Sequence, residues 1–225
     1  MLLINFLIWK NRVVNSGFSL FVAMLLLLAQ PSYSQREADR WYFGHNCGLD
    51  FSTGEPVVLH DGEIDHAWSG SGTICDSLSN LLFYNTYRPI YTSQHNIMEN
   101  GQDFDENGPG NQSNLIVPWP ESDSLYFVFK ISDYDVPGGT SGLNYNIVDI
   151  NENSGLGAVV LKDIILQDAA GVNGIMTAAK HKNKRDIWII TRDFKRDKYI
   201  VFLITPDGIN ETAVKSDAPN VSDQC

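Results

Sequence analysis

Asn80-Leu-Leu-Phe-Tyr-Asn85, Ser124-Leu-Tyr-Phe-Val-Phe129 and Asp186-Ile-Trp-Ile-Ile-Thr191 repeat one pattern, a polar turn residue running into an aromatic and aliphatic stretch. The repeats lie about 44 and about 62 residues apart, the spacing of repeated sheet units joined by loops of unequal length. Aromatic and β-branched residues suit a pleated, half-buried surface, so each segment is predicted to be a strand. Elsewhere short apolar runs alternate with Gly, Asn, Asp and Ser clusters, and no stretch keeps a 3.6-residue period over helix length. The chain is predicted to be all-β, a partial β-propeller of about three four-stranded antiparallel blades.

The first blade is predicted from Trp41–Gly44, Pro56–Leu59, Gly72–Cys75, Leu81–Tyr84 and Pro89–Tyr91. The second takes Asn114–Val117, Leu125–Phe129, Tyr145–Ile150 and Val159–Leu161, and the third Met176–Ala179, Ile187–Thr191, Tyr199–Ile204 and a strand near Thr212–Val214. Asp207-Gly208 supplies the positive backbone angles of a tight hairpin, and Ser77–Asn80 and Lys182–Arg185 read as equivalent hairpin loops. Closed propellers hold about 4 to 8 blades of about 40 residues or more, so three blades leave the ring open. Open sheet edges and faces are avoided by natural β-proteins. A fragment of a longer protein is the expectation, with self-association as the other way to close.

Residues 1–34 read as a signal peptide. Lys10 and Arg12 precede the apolar run Phe18–Ala29, and Pro31-Ser-Tyr-Ser34 places cleavage before Gln35. A membrane anchor competes, because Met1–Trp9 is apolar too, but the run is shorter than the roughly 20 residues of a membrane span. Residues 35–225 are then a secreted or outer-surface domain with no membrane span left. The chain carries a net charge of −11, and losing Lys10 and Arg12 makes it more acidic. Such a surface repels phosphate backbones and argues against a nucleic-acid partner. The basic clusters Lys180–Arg185 and Arg192–Arg196 read as solvated turns. Cys47 and Cys75 flank one predicted blade and form a possible disulfide in an oxidising compartment. The odd Cys225 points to truncation or an intermolecular partner.

Trp41-Tyr-Phe-Gly44, Gly48-Leu-Asp-Phe51, Asn80–Tyr84, Gly142-Leu-Asn-Tyr145, Val148-Asp-Ile150, Gly155-Leu-Gly157, Lys180-His181 and Asp186–Ile190 occur in order along the chain. Together they resemble the amino-terminal, WD40-like propeller region of secreted bacterial proteins that carry a gliding motility-associated carboxy-terminal sorting domain read by type IX secretion. The resemblance spans Trp41 to Val214. It implies a cell-surface or secreted adhesion or recognition role with protein or glycan partners, further downstream blades, and no catalytic residues to carry over.

Candidate chemistry is sparse. Asp103, Asp105, Asn107 and Gly108 copy the first half of a calcium loop, but Asn114 stands where the bidentate Glu belongs. Calcium at Asp103, Asp105 and Asn107 competes with a solvated acidic loop. His60-Asp-Gly-Glu-Ile-Asp-His66 holds donors enough for a divalent metal, against an exposed loop. Loop aromatics Trp68, Trp119 and Tyr134 are the candidate ligand-binding platform, while Trp41, Phe83, Phe127 and Trp188 are expected to pack between blades. Ser69-Gly-Ser-Gly72 lacks the first glycine of a nucleophile elbow and reads as a flexible turn. The expected function is a noncatalytic surface binding or scaffold module. The alternative is a polysaccharide hydrolase using carboxylates among Asp61, Glu63 and Asp65.

Overall fold

The computed structural model describes residues 36–64, 70–86, 88–104, 112–132 and 142–218, all within the unit Gln35–Cys225. Its strands form four antiparallel sheets, each a meander of consecutive strands. The first sheet holds β1 (Arg40–Gly44), β2 (Cys47–Asp50) and β3 (Val57–Leu59), and the second β4 (Gly72–Cys75), β5 (Leu81–Asn85) and β6 (Ile90–Thr92). The third holds β7 (Asn114–Pro118), β8 (Leu125–Ser132), β9 (Gly142–Asp149) and β10 (Ala158–Ala170). The fourth holds β11 (Val172–Lys180), β12 (Ile187–Asp193), β13 (Lys198–Thr205) and β14 (Gly208–Asp217). Helix among the described residues is confined to the short turns Arg36–Ala38 and Glu152–Gly155, and none is long and apolar enough to cross a membrane.

The all-β class is as expected, but the grouping into three four-stranded units is corrected. What reads as one first unit is two three-stranded sheets. β4 pairs with β5, not β3, because the facing sides of the two sheets are both apolar and close on each other. Tyr42 and Leu59 from the first sheet pack with Cys75, Leu81, Tyr84 and Tyr91 from the second, around Ile64. Burying side chains face to face removes more apolar surface from water than extending one ladder would.

Each sheet then packs on the next. Ile74, Phe83 and Ile90 of the second sheet meet Val128, Val148 and Val159 of the third. The opposite face of the third sheet, with Phe127, Phe129, Leu143, Tyr145 and Ile147, meets Met176, Ile187, Ile189, Ile200, Phe202 and Ile204 of the fourth. The third sheet is covered on both sides, which is why β9 is buried from Gly142 to Val148 while β13 alternates.

The first strands of the sheets are neighbours in turn: β1 lies against β4, β4 against β7 and β7 against β11. Parallel bridging of Gln112 with Ile175 fixes the relative direction at the last of these contacts. Each first strand is an edge of its own sheet, and side chains tie these edges where a ladder does not. Between β1 and β4, Thr73 Oγ1 accepts from the Tyr42 amide at 3.0 Å and Ser71 Oγ donates to the Tyr42 carbonyl at 2.6 Å.

The two outermost faces have no sheet against them among the described residues. On the first sheet Trp41, Leu49 and Val58 are cross-strand partners in one row, with Trp41 51% and Val58 58% exposed. On the fourth, Trp188 pairs with Leu203, and Ile190, Val201 and Val214 form a second row in which Val214 is 62% exposed.

Candidate functional site

A groove runs along the first strands. One part, about 410 Å³, lies between β1, β4 and β7, with Trp41, Phe43, Leu115 and Ile116 as apolar walls and Ser71, Thr73, Gln112 and Asn114 as polar lining. The other, about 350 Å³, continues between β4, β7 and β11 past Pro118, Ala178 and Ile187 to Glu37 and Lys180. Ala38, Thr73 and Ile116 line both. The strand edges themselves build the groove, so their backbone groups lie at its base. Asn114 is fixed across it, donating to the Gly70 carbonyl at 3.2 Å and accepting from Asn85 Nδ2 at 3.0 Å. The larger part presents hydroxyls, amides and half-exposed aromatic rings, with no charged side chain among the described residues that line it.

Beside this groove, four side chains knit the first two sheets together. Tyr42 and Tyr84 stack at 4.7 Å between ring centroids, and Tyr84 stacks on Tyr91 at 5.0 Å. The Tyr42 hydroxyl donates to Asp61 Oδ1 at 3.0 Å, and His95 Nε2 lies 3.4 Å from Asp61 Oδ2. The Tyr84 oxygen accepts from the Glu63 amide at 3.2 Å and lies 3.2 Å from His95 Nδ1. Those partners settle the tautomer. The Tyr84 hydrogen points to Nδ1, leaving Nε2 protonated and donating to the carboxylate; the other tautomer would face a lone pair toward Asp61 and orphan the phenol hydrogen.

Burial pushes the Tyr84 phenol up to about 12, against the opposing pull of the Glu63 amide, and burial followed by the Asp61 hydrogen bond raises Tyr42 as well. Both phenols are therefore neutral donors at physiological pH. Chemically the cluster is a clamp: it ties the segment after β3 to the turn after β6, where His95 adopts a left-handed φ of 63°.

The structure sorts the residues singled out from sequence. Trp119 is not a free platform: its Nε1 donates to the Pro206 carbonyl at 2.9 Å, its ring stacks on Phe127 at 4.7 Å, and it packs over Gly208 of the β13–β14 hairpin. Trp41, expected to pack between units, is instead half-exposed at the groove wall. Trp68 and Tyr134 lie outside the described residues, as do Asp105, Asn107, Asp65 and His66. Asp103 is exposed with a φ of 57°, and the next ring, Phe104, is buried beneath the Lys130 ammonium, 3.6 Å from its centroid. Among the described residues no three His, Cys, Asp or Glu side chains gather to hold a metal.

Cys47 and Cys75 are both free, the first exposed and the second buried. Cys75 receives the Arg40 amide, whereas Cys47 pairs with Gly44 at the far end of β1. Four residues of strand at about 3.3 Å each hold them roughly 13 Å apart, beyond the Cα span of about 4.4–6.8 Å that a disulfide allows. Ser71, part of the stretch read as a flexible turn, is the clasp on the β1 edge. His95 was not singled out from sequence, since one histidine in a Ser-Gln-His-Asn turn carries no pattern.

Comparison with known proteins finds no family model that matches the chain, and no curated protein or solved structure that does.

Proposed function

We propose that the chain is an open β-propeller of four blades that serves as a noncatalytic binding and scaffold module of a secreted or outer-surface protein. The observation that carries this reading is the order of the first strands: β1, β4, β7 and β11 succeed one another around a shared groove, each at the inner edge of its own meander. Blades of a propeller have this relation, and their inner edges line the central channel. The secretory leader and the resemblance to gliding motility-associated propellers give the address.

Ligand class follows from the groove. Half-exposed aromatic rings beside neutral hydroxyls and amides complement an uncharged glycan or an extended peptide, whose apolar faces stack while its polar groups bond. The Tyr42–Asp61–His95–Tyr84 cluster supports the noncatalytic reading, because its histidine is engaged at both nitrogens by a carboxylate and a phenol that stays protonated. Calcium is not needed by this account.

Glycan-array and peptide-array binding of the exported chain tests it. Binding that falls about tenfold or more in Gln112→Ala and in Phe43→Ala, with unchanged thermal unfolding, is the expected result. Release of reducing ends from a polysaccharide, lost in Asp61→Asn and Glu63→Gln, would replace it with the hydrolase reading.

A further inference from the structure

We infer that two copies of this chain close head to tail into one eight-sheet ring, the outer face of the first sheet of each copy seating on the outer face of the fourth sheet of the other. This rests on the stacked-sheet reading above and adds the surfaces and the partner.

The first ground is the pair of open faces. Trp41, Leu49 and Val58 form an apolar row across three strands, and Ile190, Val201 and Val214, beside Trp188 and Leu203, form its counterpart on the fourth sheet. These are the same kinds of residue that fill the three buried interfaces between sheets. Val58 and Val214 stand on strands remote from the groove and are more than half exposed, 58% and 62%. An apolar row of this kind on a twisted sheet is the surface that a further sheet covers.

The second ground is charge. Residues 36–104, which make the first two sheets, carry ten Asp and Glu against three Arg. Residues 172–217, the fourth sheet, carry nine Lys and Arg against six Asp and Glu. One end of the stack is strongly acidic and the other basic, so the first face of one copy attracts the fourth face of another while like faces repel. That asymmetry selects head-to-tail pairing over a symmetric joining of two first faces or two fourth faces.

The third ground is number and area. Four sheets per chain become eight, within the range of about 4 to 8 for closed propellers. The three strands of the first sheet, five, four and three residues long, span about 14 by 14 Å, or on the order of 200 Å² in flat projection. One such contact is small beside the roughly 800 Å² per partner of a stable interface. Two-fold closure makes the contact twice and buries two faces of each copy, on the order of 400 Å² per partner before side-chain relief is counted. The ring is therefore favoured over an open pair, and it leaves no apolar end face to propagate.

Light scattering coupled to size-exclusion chromatography, on the chain purified from an exporting host, tests the inference alongside Val58→Asp and Val214→Asp. The expected result is a species of twice the chain mass that raised salt loosens, and that each substitution weakens on the order of thirtyfold, as a charge buried in an interface core would. Neither substitution touches the cores between sheets, so cooperative unfolding of each variant is retained and reports that the stack itself is intact. A species of twice the chain mass that only one of the two substitutions dissociates would overturn the head-to-tail arrangement, since like-face pairing needs one face alone. A monomer at all concentrations would overturn closure by a second copy while leaving the four-sheet stack standing, and open polymers would overturn the ring.

Discussion

Raising the pH should open the contact between the first two sheets before the rest of the molecule. The core there contains three acids that burial keeps protonated: Cys75 and Tyr42, both almost wholly buried, and Tyr84, fully buried. Desolvation lifts the Cys75 thiol from 9.0 to about 11 and the Tyr84 phenol from 10.0 to about 12. A folded-state value above the unfolded one means the stabilisation is complete below the unfolded value and is lost as pH rises through the folded one. At about 1.4 kcal/mol per unit, Cys75 forfeits on the order of 1 kcal/mol by pH 10 and about 2 kcal/mol by pH 11. Tyr84 adds on the order of 1 kcal/mol by pH 11 and Tyr42, raised in the same direction, a comparable loss, so the three together remove several kcal/mol, a large share of an ordinary domain's stability. Urea unfolding from pH 8 to 11 measures the loss, and Cys75→Ala and Tyr84→Phe apportion it. Cys75→Ala should flatten the curve between pH 9 and 11, and Tyr84→Phe should flatten it only above pH 10, although it costs about 1–3 kcal/mol at every pH by orphaning the Glu63 amide. A wild-type curve flat within about 0.5 kcal/mol, or a Cys75→Ala curve as steep as wild type between pH 9 and 10, would refute the reasoning.

Phe202→Ala empties the centre of the contact between the third and fourth sheets, where the ring is fully buried, and should cost about 3–5 kcal/mol in urea unfolding. Gly48→Ala should lower the melting temperature by the equivalent of about 1–3 kcal/mol, because the new methyl would sit 2.8 Å from the Trp41 carbonyl oxygen, a backbone atom that no rotamer can move. Trp119→Ala should destabilise by about 3 kcal/mol and leave array binding of the folded protein unchanged, since its ring and its nitrogen are spent on Phe127 and Pro206. Asp76 is held below the usual carboxylate range: burial opposes ionisation, but bonds from the Asn80 side chain and from the Asn80 and Leu78 amides outweigh it. Its contribution is present above pH 3.8 and fades as pH falls through the lower folded value, so Asp76→Ala should reduce the acid sensitivity of melting below pH 4.

What the sequence disclosed follows from where its strongest pattern sits. The three quoted repeats are β5, β8 and β12, the second strand of the second, third and fourth sheets; β5 and β8 are covered on both faces at their centres, while β12 buries one face and leaves Trp188 and Ile190 half-buried on the other. Double burial demands a dense aromatic and aliphatic run, and that run is visible. The second strand of the first sheet, Cys47-Gly-Leu-Asp50, has neighbours on one face only and carries no such run, so the fourth repeat was hidden and its strands were merged into the next unit. Loop chemistry was legible for a similar reason. His181 and Asp76 start equivalent loops, each accepting from an amide three residues on, with Lys184 and Ser79 in the left-handed region at φ 63° and 68°. The groove was not legible, because its floor is made of strand edges brought together by stacking, and no local pattern announces which edges will meet. The aromatic platform was misplaced for the same reason: Trp119 lies in a loop yet is pinned by a distant hairpin, while Trp41 lies in a strand whose outer face is open.

The central claim is that the first strands of successive sheets are neighbours around one groove, and a cross-link tests it most directly. Gln112 and Ile175 bridge in parallel between the third and fourth sheets, 63 positions apart in sequence, and residues paired in this way fall within the roughly 4.4–6.8 Å Cα separation of a disulfide. In a chain carrying Gln112→Cys and Ile175→Cys with Cys47→Ser and Cys225→Ser, mild oxidation followed by peptide mass mapping should find the 112–175 bond within one chain and a raised unfolding midpoint. Full recovery of both thiols, or bonds only to Cys75, would contradict the stacked order of the sheets.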